Sequence, residues 1–188
     1  MTTDRDFKRL VRLRSVRTGE SYSAARRHLL ERRGLTMPIP ALRRVEKPEH
    51  GFSIELPQDW PEEPPDLSNS PYEVTRFRLH DGDAWHLALV FRRTDHAEPQ
   101  VWLAANAARG RLKRSGFAHM SLAECEWGGG DGVRIDCQRE FAGPGGLWTV
   151  REYLAVAGGV VYVLGVGSNQ PLDDGPLFDE IARRFALI

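Results

Sequence analysis

Four residues of metal-binding type fall within seven positions of the chain: His80, Asp81, Asp83 and His86. Imidazole nitrogens and carboxylate oxygens bind divalent ions, so this cluster is a candidate metal site. An Asp-Gly-Asp stretch is equally typical of a turn between two strands of a hairpin. His86 would then alternate with Trp85 across the sheet. We interpret the cluster as a hairpin turn and assign no metal ligand.

A second set of residues could perform acid–base chemistry: Glu124, Glu126, Asp136 and Glu140. Glycosidase-type catalysis needs two carboxyl groups at a fixed separation in a pocket. The alternating positions of these four residues instead fit the solvated face of a sheet. The sequence also has no G-x-S-x-G elbow to position a nucleophile. We therefore assign no catalytic residue, and an enzyme with an unrecognised pocket remains an alternative.

Two glycine-rich stretches have the appearance of nucleotide-binding motifs. Gly165-Val-Gly167 follows an apolar run, as in a dinucleotide fingerprint, but Gln170 replaces the third glycine and Pro171 precedes any helix. Gly128–Gly132 lacks the Lys-Ser/Thr pair of a phosphate-binding loop. The first stretch predicts a strand end and the second a turn, so no cofactor is predicted.

The two cysteines, Cys125 and Cys137, are too few for a disulfide framework or a zinc cluster. If Gly130–Gly132 forms a three-residue turn, position 129 faces 133 and Cys125 faces Cys137 across the hairpin. A redox bridge is one interpretation of this pairing. Two small buried thiols are the other, and we adopt it because a cytoplasmic protein keeps its cysteines reduced.

The charge of the chain is unevenly distributed. Overall 26 Lys and Arg balance 26 Asp and Glu. Residues 1–45 contain twelve basic and four acidic residues, a net charge of +8, which leaves −8 on residues 46–188. The prolines between Met37 and Pro48 mark the junction. We predict a basic interaction arm, 1–45, on an acidic globular body, 46–188.

The arm has the pattern of a helical hairpin. One helix is predicted over Asp4–Arg17 and a second from Glu20 or Ser21 to Arg33, with a break at Thr18-Gly19. Neither helix is long enough to be stable alone, so their apolar stripes must pack on each other, on the body or on a partner. The predicted partner-binding residues supply charge (Arg5, Lys8, Arg9, Arg12, Arg26 and Arg27) and apolar contact (Phe7, Leu10, Tyr22 and Leu29).

An acidic protein surface, or the body of the same or a neighbouring subunit, is the expected partner of the arm. Binding of nucleic-acid phosphates is the second alternative. A helix-turn-helix motif fits poorly, because a third helix is missing and polar residues occupy positions that the motif fills with apolar ones: Arg14, Thr18, Glu20 and His28. The sequence therefore favours a non-catalytic binding or accessory protein.

The body has the pattern of an α+β domain. Short glycine turns join most of its strands and permit only antiparallel neighbours. We predict about seven strands and two helices: strands over 51–56, 72–79, 85–92, 117–127, 133–141, 147–156 and 160–166, and helices over 98–115 and 176–186.

Two segments of the body resemble parts of a known fold. They are the opening GFSIELPQDW, and the closing strand and helix, VVYVLGVGSN followed by LFDEIARRFAL. With the element order, residues 46–188 resemble the Mog1/PsbP-like fold, including its bacterial DcrB-like branch. That fold includes photosystem accessory proteins, a GTPase-binding import factor and secretion-effector chaperones. The resemblance implies binding without catalysis and no cofactor, and it does not extend to the arm.

No apolar run approaches the roughly 18 residues that a membrane span needs, and MTTDRDFKRL lacks the apolar centre of a signal peptide. We therefore expect a cytoplasmic protein. A chain of 188 residues supports one domain with a short appendage, and its oligomeric state stays open.

Overall fold

The structure is a computed structural model, and it describes residues 8, 11–14, 29, 40–81, 84–94, 100–140, 146–169 and 171–188. The chain divides into two compact units, 1–39 and 40–188. In the first unit the described residues are helical. Lys8 and Arg12 are exposed, whereas Val11 is fully buried, which agrees with the predicted amphipathic first helix.

The boundary between arm and body lies before the predicted one. Leu42–Lys47 forms strand β1, which pairs antiparallel with strand β2, Phe52–Pro57. Because backbone pairing ties β1 to β2, residues 40–45 belong to the body and not to the arm. With this correction the arm, 1–39, has a net charge of +6 and the body, 40–188, has −6.

The described part of the body contains two α-helices and ten strands, three of them beyond the predicted seven. The unpredicted strands are β1 and two of only two residues, β3 and β10. In chain order after β2 the elements are β3 (Glu62–Glu63), β4 (Glu73–Asp81), β5 (Ala84–Arg93), α1 (Val101–Arg114), β6 (Ala118–Trp127), β7 (Gly130–Glu140), β8 (Leu147–Ala157), β9 (Val160–Ser168), α2 (Pro171–Arg183) and β10 (Ala186–Leu187).

Seven strands form one antiparallel sheet in the order β3-β4-β5-β9-β8-β7-β6, and β1-β2-β10 forms a second, small sheet. The predicted α+β class with an antiparallel sheet is confirmed. No helix within the described residues is long and apolar enough to cross a membrane.

Each face of the large sheet has its own apolar core, because successive side chains of a strand point to opposite faces. On one face, strand residues such as Leu164 pack in one core with Phe52 of the small sheet and Phe178 of α2. On the other face, Leu154 and Val163 pack in one core with residues of α1 such as Ala105. We refer to these as the α2 face and the α1 face.

The turn between β6 and β7 corrects the predicted cysteine pairing. Trp127 lies opposite Gly130, so the turn has two residues, Gly128 and Gly129, with φ of 64° and 84°. A turn of this kind needs positive φ at both central positions, which glycine adopts without strain. Cys125 therefore lies opposite Gly132, and Cys137 lies opposite Val150. Cys125 packs on the α2 face and Cys137 on the α1 face, and both thiols are free.

Helix α2 begins five residues before the predicted start and ends before the predicted end. Pro171 occupies its first position, where a missing N–H needs no helical partner. Pro176, predicted to begin the helix, lies inside it. The last predicted helical residue, Ala186, instead pairs with Ser53 as part of β10.

Candidate functional site

The described arm residues include three of the ten predicted partner-binding residues. Lys8 and Arg12 are exposed and Leu29 is partly buried, all in helical backbone. Seven further predicted residues lie outside the described residues: Arg5, Phe7, Arg9, Leu10, Tyr22, Arg26 and Arg27. The arm surface therefore stays a prediction.

The structure separates the two histidines of the candidate metal cluster. His80 lies directly opposite Trp85, and their ring centroids are 3.8 Å apart. His86 follows Trp85 on the same strand and therefore points to the other face of the sheet. One ion cannot bind both imidazoles. Among the described side chains, which exclude those of Asp81 and Asp83, no group of three potential metal ligands occurs.

His86 instead belongs to a polar cluster that joins β5 and β9 to the start of α2. Its Nε2 lies 3.1 Å from Oδ2 of Asp174, and the hydroxyl of Ser168 donates to the same oxygen. A nucleophile triad has the imidazole between hydroxyl and carboxylate. Here the carboxylate lies between the other two groups, which differs from the triad order, and its contacts connect the start of α2 to β5 and β9.

The four candidate carboxylates are divided between the faces and rims of the sheet. Glu124, Glu126 and Glu140 are exposed, as a solvated sheet face predicts. Asp136 differs, because it accepts hydrogen bonds from Arg134 at 3.0 Å and from Arg151 at 2.6 Å. Its place on the α2 face beside Arg151 follows from the register of β7 and β8.

A cavity of about 550 Å³ lies between the β6–β7 turn and α2, and we refer to it as the hairpin groove. Aromatic side chains and carboxylates line most of it: Trp127, Tyr153 and Phe185, with Glu126, Asp131 and Asp179. This groove is not among the sites predicted from the sequence. The signal in the sequence was the pair of acidic residues on either side of the glycine turn.

The aromatic wall of the hairpin groove is held by specific contacts. The indole Nε1 of Trp127 donates to the carbonyl of Ala182 at 3.0 Å, and the Trp127 ring stacks on Phe185 with centroids 4.5 Å apart. The hydroxyl of Tyr153 donates to Oδ1 of Asp179 at 2.7 Å. Because these contacts already exist, a ligand would meet a preformed surface.

The groove carries more negative than positive charge. Glu126 lies directly opposite Asp131 at the rim of the groove, on the sheet face away from Trp127, and neither forms an ion pair with another described residue. Arg183, the single basic residue of the lining, is already paired with Glu180 at 2.7 Å. Burial and the hydrogen bond to Asp179 raise the pKa of Tyr153, so its phenol stays protonated. Carboxylates beside aromatic rings suit a basic side chain.

Comparison with known proteins gives information on the fold. No family model and no curated protein matches the chain. The solution structure of cyanobacterial PsbP (CyanoP) from Synechocystis sp. PCC 6803 is similar, with a TM-score of 0.61, 12% identity, and coverage of 81% of this chain and 95% of that one. The crystal structure of LpqN, involved in cell envelope biogenesis of Mycobacterium tuberculosis, gives a TM-score of 0.51, 18% identity and coverage of 78% and 90%.

The body therefore has the Mog1/PsbP-like fold, as the resemblance in the sequence implied. At identities of 12% and 18% the likeness establishes the fold alone. Assignment to the DcrB-like branch is finer than this likeness and stays a prediction, and the arm is assigned to no family.

Proposed function

We propose that this chain is a non-catalytic binding or accessory protein whose basic arm engages an acidic protein surface. The division of charge carries the proposal: +6 on residues 1–39 against −6 on residues 40–188. The described arm residues support an amphipathic helix, since Lys8 and Arg12 are exposed one turn apart and Val11 is buried.

The arm would combine two kinds of contact. Its guanidinium groups, including those of Arg9 and Arg12, which the sequence pattern predicts on one helical face, would match carboxylates with paired hydrogen bonds. Its apolar residues, such as Leu10 and Tyr22, would bury surface at the centre of the interface. A complex of this kind keeps much of its affinity at high salt, because salt screens the exposed charge pairs and leaves the apolar contact.

The hairpin groove supports a binding role for the body as well. Glu126 and Asp131 offer unpaired negative charge at the rim of this groove, whereas Asp179 lies beside the preformed Trp127 and Tyr153 surface. A basic side chain of a partner would suit the groove, since charge complementarity favours the correct partner. A cytoplasmic location is part of the proposal and is consistent with two free thiols. Cell fractionation tests the location.

Charge reversal in the full-length protein tests the role of the arm. The immobilised wild type is used to capture proteins from a lysate of its own cells. The double variant Arg9→Glu/Arg12→Glu should fail to capture these proteins. The matched control is Arg109→Glu/Lys113→Glu, which makes the same change of charge at two exposed positions of α1. This control should capture the same proteins as the wild type.

Salt dependence distinguishes a protein partner from a nucleic acid. A captured acidic protein should stay bound to a large extent as the salt concentration rises. Binding of labelled duplex DNA through four basic side chains would show log affinity falling with log salt at a slope of about −3 to −4. Tight DNA binding with that slope, abolished by Arg9→Glu/Arg12→Glu, would replace the proposed function with nucleic-acid association.

A further inference from the structure

A second cavity, of about 300 Å³, lies between α1 and β5 on the α1 face, and we refer to it as the α1 pocket. It is separate from the hairpin groove and shares no lining residue with it. Phe91, Val161 and Val163 line its apolar part. Three basic residues also line it: Arg93, Arg111 and Arg114. An apolar floor with several guanidinium groups on one small cavity is typical of a ligand site and not of a simple solvated helix face.

Arg111 is held in place by a buried carboxylate. Its Nη2 donates to Oε1 of Glu152 at 2.5 Å, and its guanidinium carbon lies 5.5 Å from the centroid of Phe91. Glu152 is only 3% exposed, so it anchors the guanidinium from beneath α1. The Nε and Nη1 groups of Arg111 donate to no other described residue. A positioned guanidinium with unused donors can bind an anion without loss of its own ion pair.

The other two arginines add positive charge around the same cavity. The guanidinium of Arg93 lies 4.3 Å from the centroid of the Tyr72 ring, which holds it against the loop before β4. Arg114, one helical turn after Arg111, is exposed and forms no ion pair with a described residue. Because Glu152 offsets the charge of Arg111, Arg114 leaves one positive charge beside that ion pair at the pocket.

We propose that the α1 pocket binds a small organic anion with a flat apolar body, such as an aromatic carboxylate, sulfonate or phosphate. The apolar body would pack against Ala104 and Ala107 above the buried Phe91, where a ring loses contact with water. The anionic group would accept hydrogen bonds from Arg111 and Arg114, which share a helix face. The proposal concerns the body alone and does not depend on the partner of the arm.

Two fluorescent probes of nearly equal shape test this proposal on the full-length protein. Anilinonaphthalene sulfonate carries a negative charge, and N-phenyl-1-naphthylamine lacks it. We expect the sulfonate to bind saturably with one site per chain, and more tightly than the neutral probe. Arg114→Gln should weaken sulfonate binding about fivefold and leave binding of the neutral probe unchanged. The matched control, Arg109→Gln on α1 outside the pocket, should change neither.

A variant that fills the α1 pocket tests whether the sulfonate probe binds there. Ala107 lines the pocket and is exposed, so Ala107→Phe fills the cavity without removing charge or disturbing the core. It should prevent saturable binding of the sulfonate, whereas Asn106→Phe, which introduces the same side chain at a neighbouring exposed position outside the lining, should not. Absence of saturable binding, equal affinity for both probes, or binding that persists in Ala107→Phe would each overturn the proposal.

Discussion

The buried ion pair beneath α1 gives a quantitative test of the fold. Replacing Arg111 with Met keeps an unbranched side chain against Phe91 but removes the partner of Glu152, whose Oε2 already has no hydrogen-bond partner within the described residues. Burial raises the pKa of Glu152 above its ordinary value, and Arg111 opposes that rise. The variant must either bury an unpaired carboxylate or protonate it.

The free energy needed to protonate Glu152 sets an upper limit to the stability that Arg111→Met can lose. Neutralising a carboxyl group of ordinary pKa 4.5 at pH 7 costs about 3.4 kcal/mol, and at pH 5 about 0.7 kcal/mol. Part of this cost is already present in the wild type, because the pKa of Glu152 is raised even with Arg111 present. Arg111 is also 39% exposed, so water competes for its charge. We therefore expect Arg111→Met to lower the free energy of unfolding by about 2 kcal/mol at pH 7.

The pH dependence follows from the direction of the pKa shift. An acid with a raised pKa in the folded state weakens folding above its unfolded pKa, and the penalty disappears as the pH falls towards 4.5. The loss in Arg111→Met should therefore shrink to below about 0.7 kcal/mol at pH 5.

Urea unfolding at both pH values measures these effects, and Glu152→Gln provides the control. The double variant Arg111→Met/Glu152→Gln should recover most of the loss at pH 7, because no charge is then buried. An equal loss at pH 5 and pH 7, or a double variant no more stable than Arg111→Met, would refute the assignment of the cost to the Glu152 carboxylate.

Two further predictions concern the β6–β7 hairpin. A Cβ at Gly132 would lie 2.8 Å from the carbonyl oxygen of Leu154, so Gly132→Ala should lower the free energy of unfolding by about 1–3 kcal/mol. Gly130→Ala, where a Cβ meets nothing within 4 Å, should cost less than about 1 kcal/mol, and equal losses would contradict the close approach at position 132. Burial raises the pKa of both thiols, that of Cys137 to about 12, so a thiol reagent should label Cys125 first and Cys137 only on unfolding. Mass spectrometry after mild oxidation of the native protein should show no disulfide within one chain, and loss of two hydrogens per chain would contradict the observed register.

The longer strands and both body helices were predictable because their patterns are local. Alternation of apolar residues identifies β7, β8 and β9, and the glycine turns between them require antiparallel neighbours. Helix α1 follows from Ala105, Ala108 and Leu112, which are buried at helical spacing. Two-residue strands such as β10 carry no pattern of their own, because they exist through pairing with another strand, here the distant β2.

The register of the β6–β7 hairpin and the candidate sites depended on information that is not local. Gly128–Gly132 contains several positions for a tight turn, and the choice of Gly128-Gly129 over a later one moves every cross-strand partner of β6. His86 and Asp174 are far apart in sequence, as are Arg111 and Glu152. Only the strand order and the helix that covers each face bring these pairs together, so neither pair could be predicted from spacing.

The two cavities lie on opposite faces of one sheet, and this separation follows from the alternation of a single strand. Glu152 points towards α1 and holds Arg111 at the α1 pocket, whereas the next residue, Tyr153, points towards α2 and forms the wall of the hairpin groove. Successive residues of a strand must face opposite ways, so the sheet itself separates the α1 pocket from the Trp127 and Tyr153 wall of the hairpin groove. Each site is built on strands and a helix, which hold side chains more precisely than loops do. An anion at one site and a basic side chain at the other can therefore bind at the same time, with β8 as their shared support.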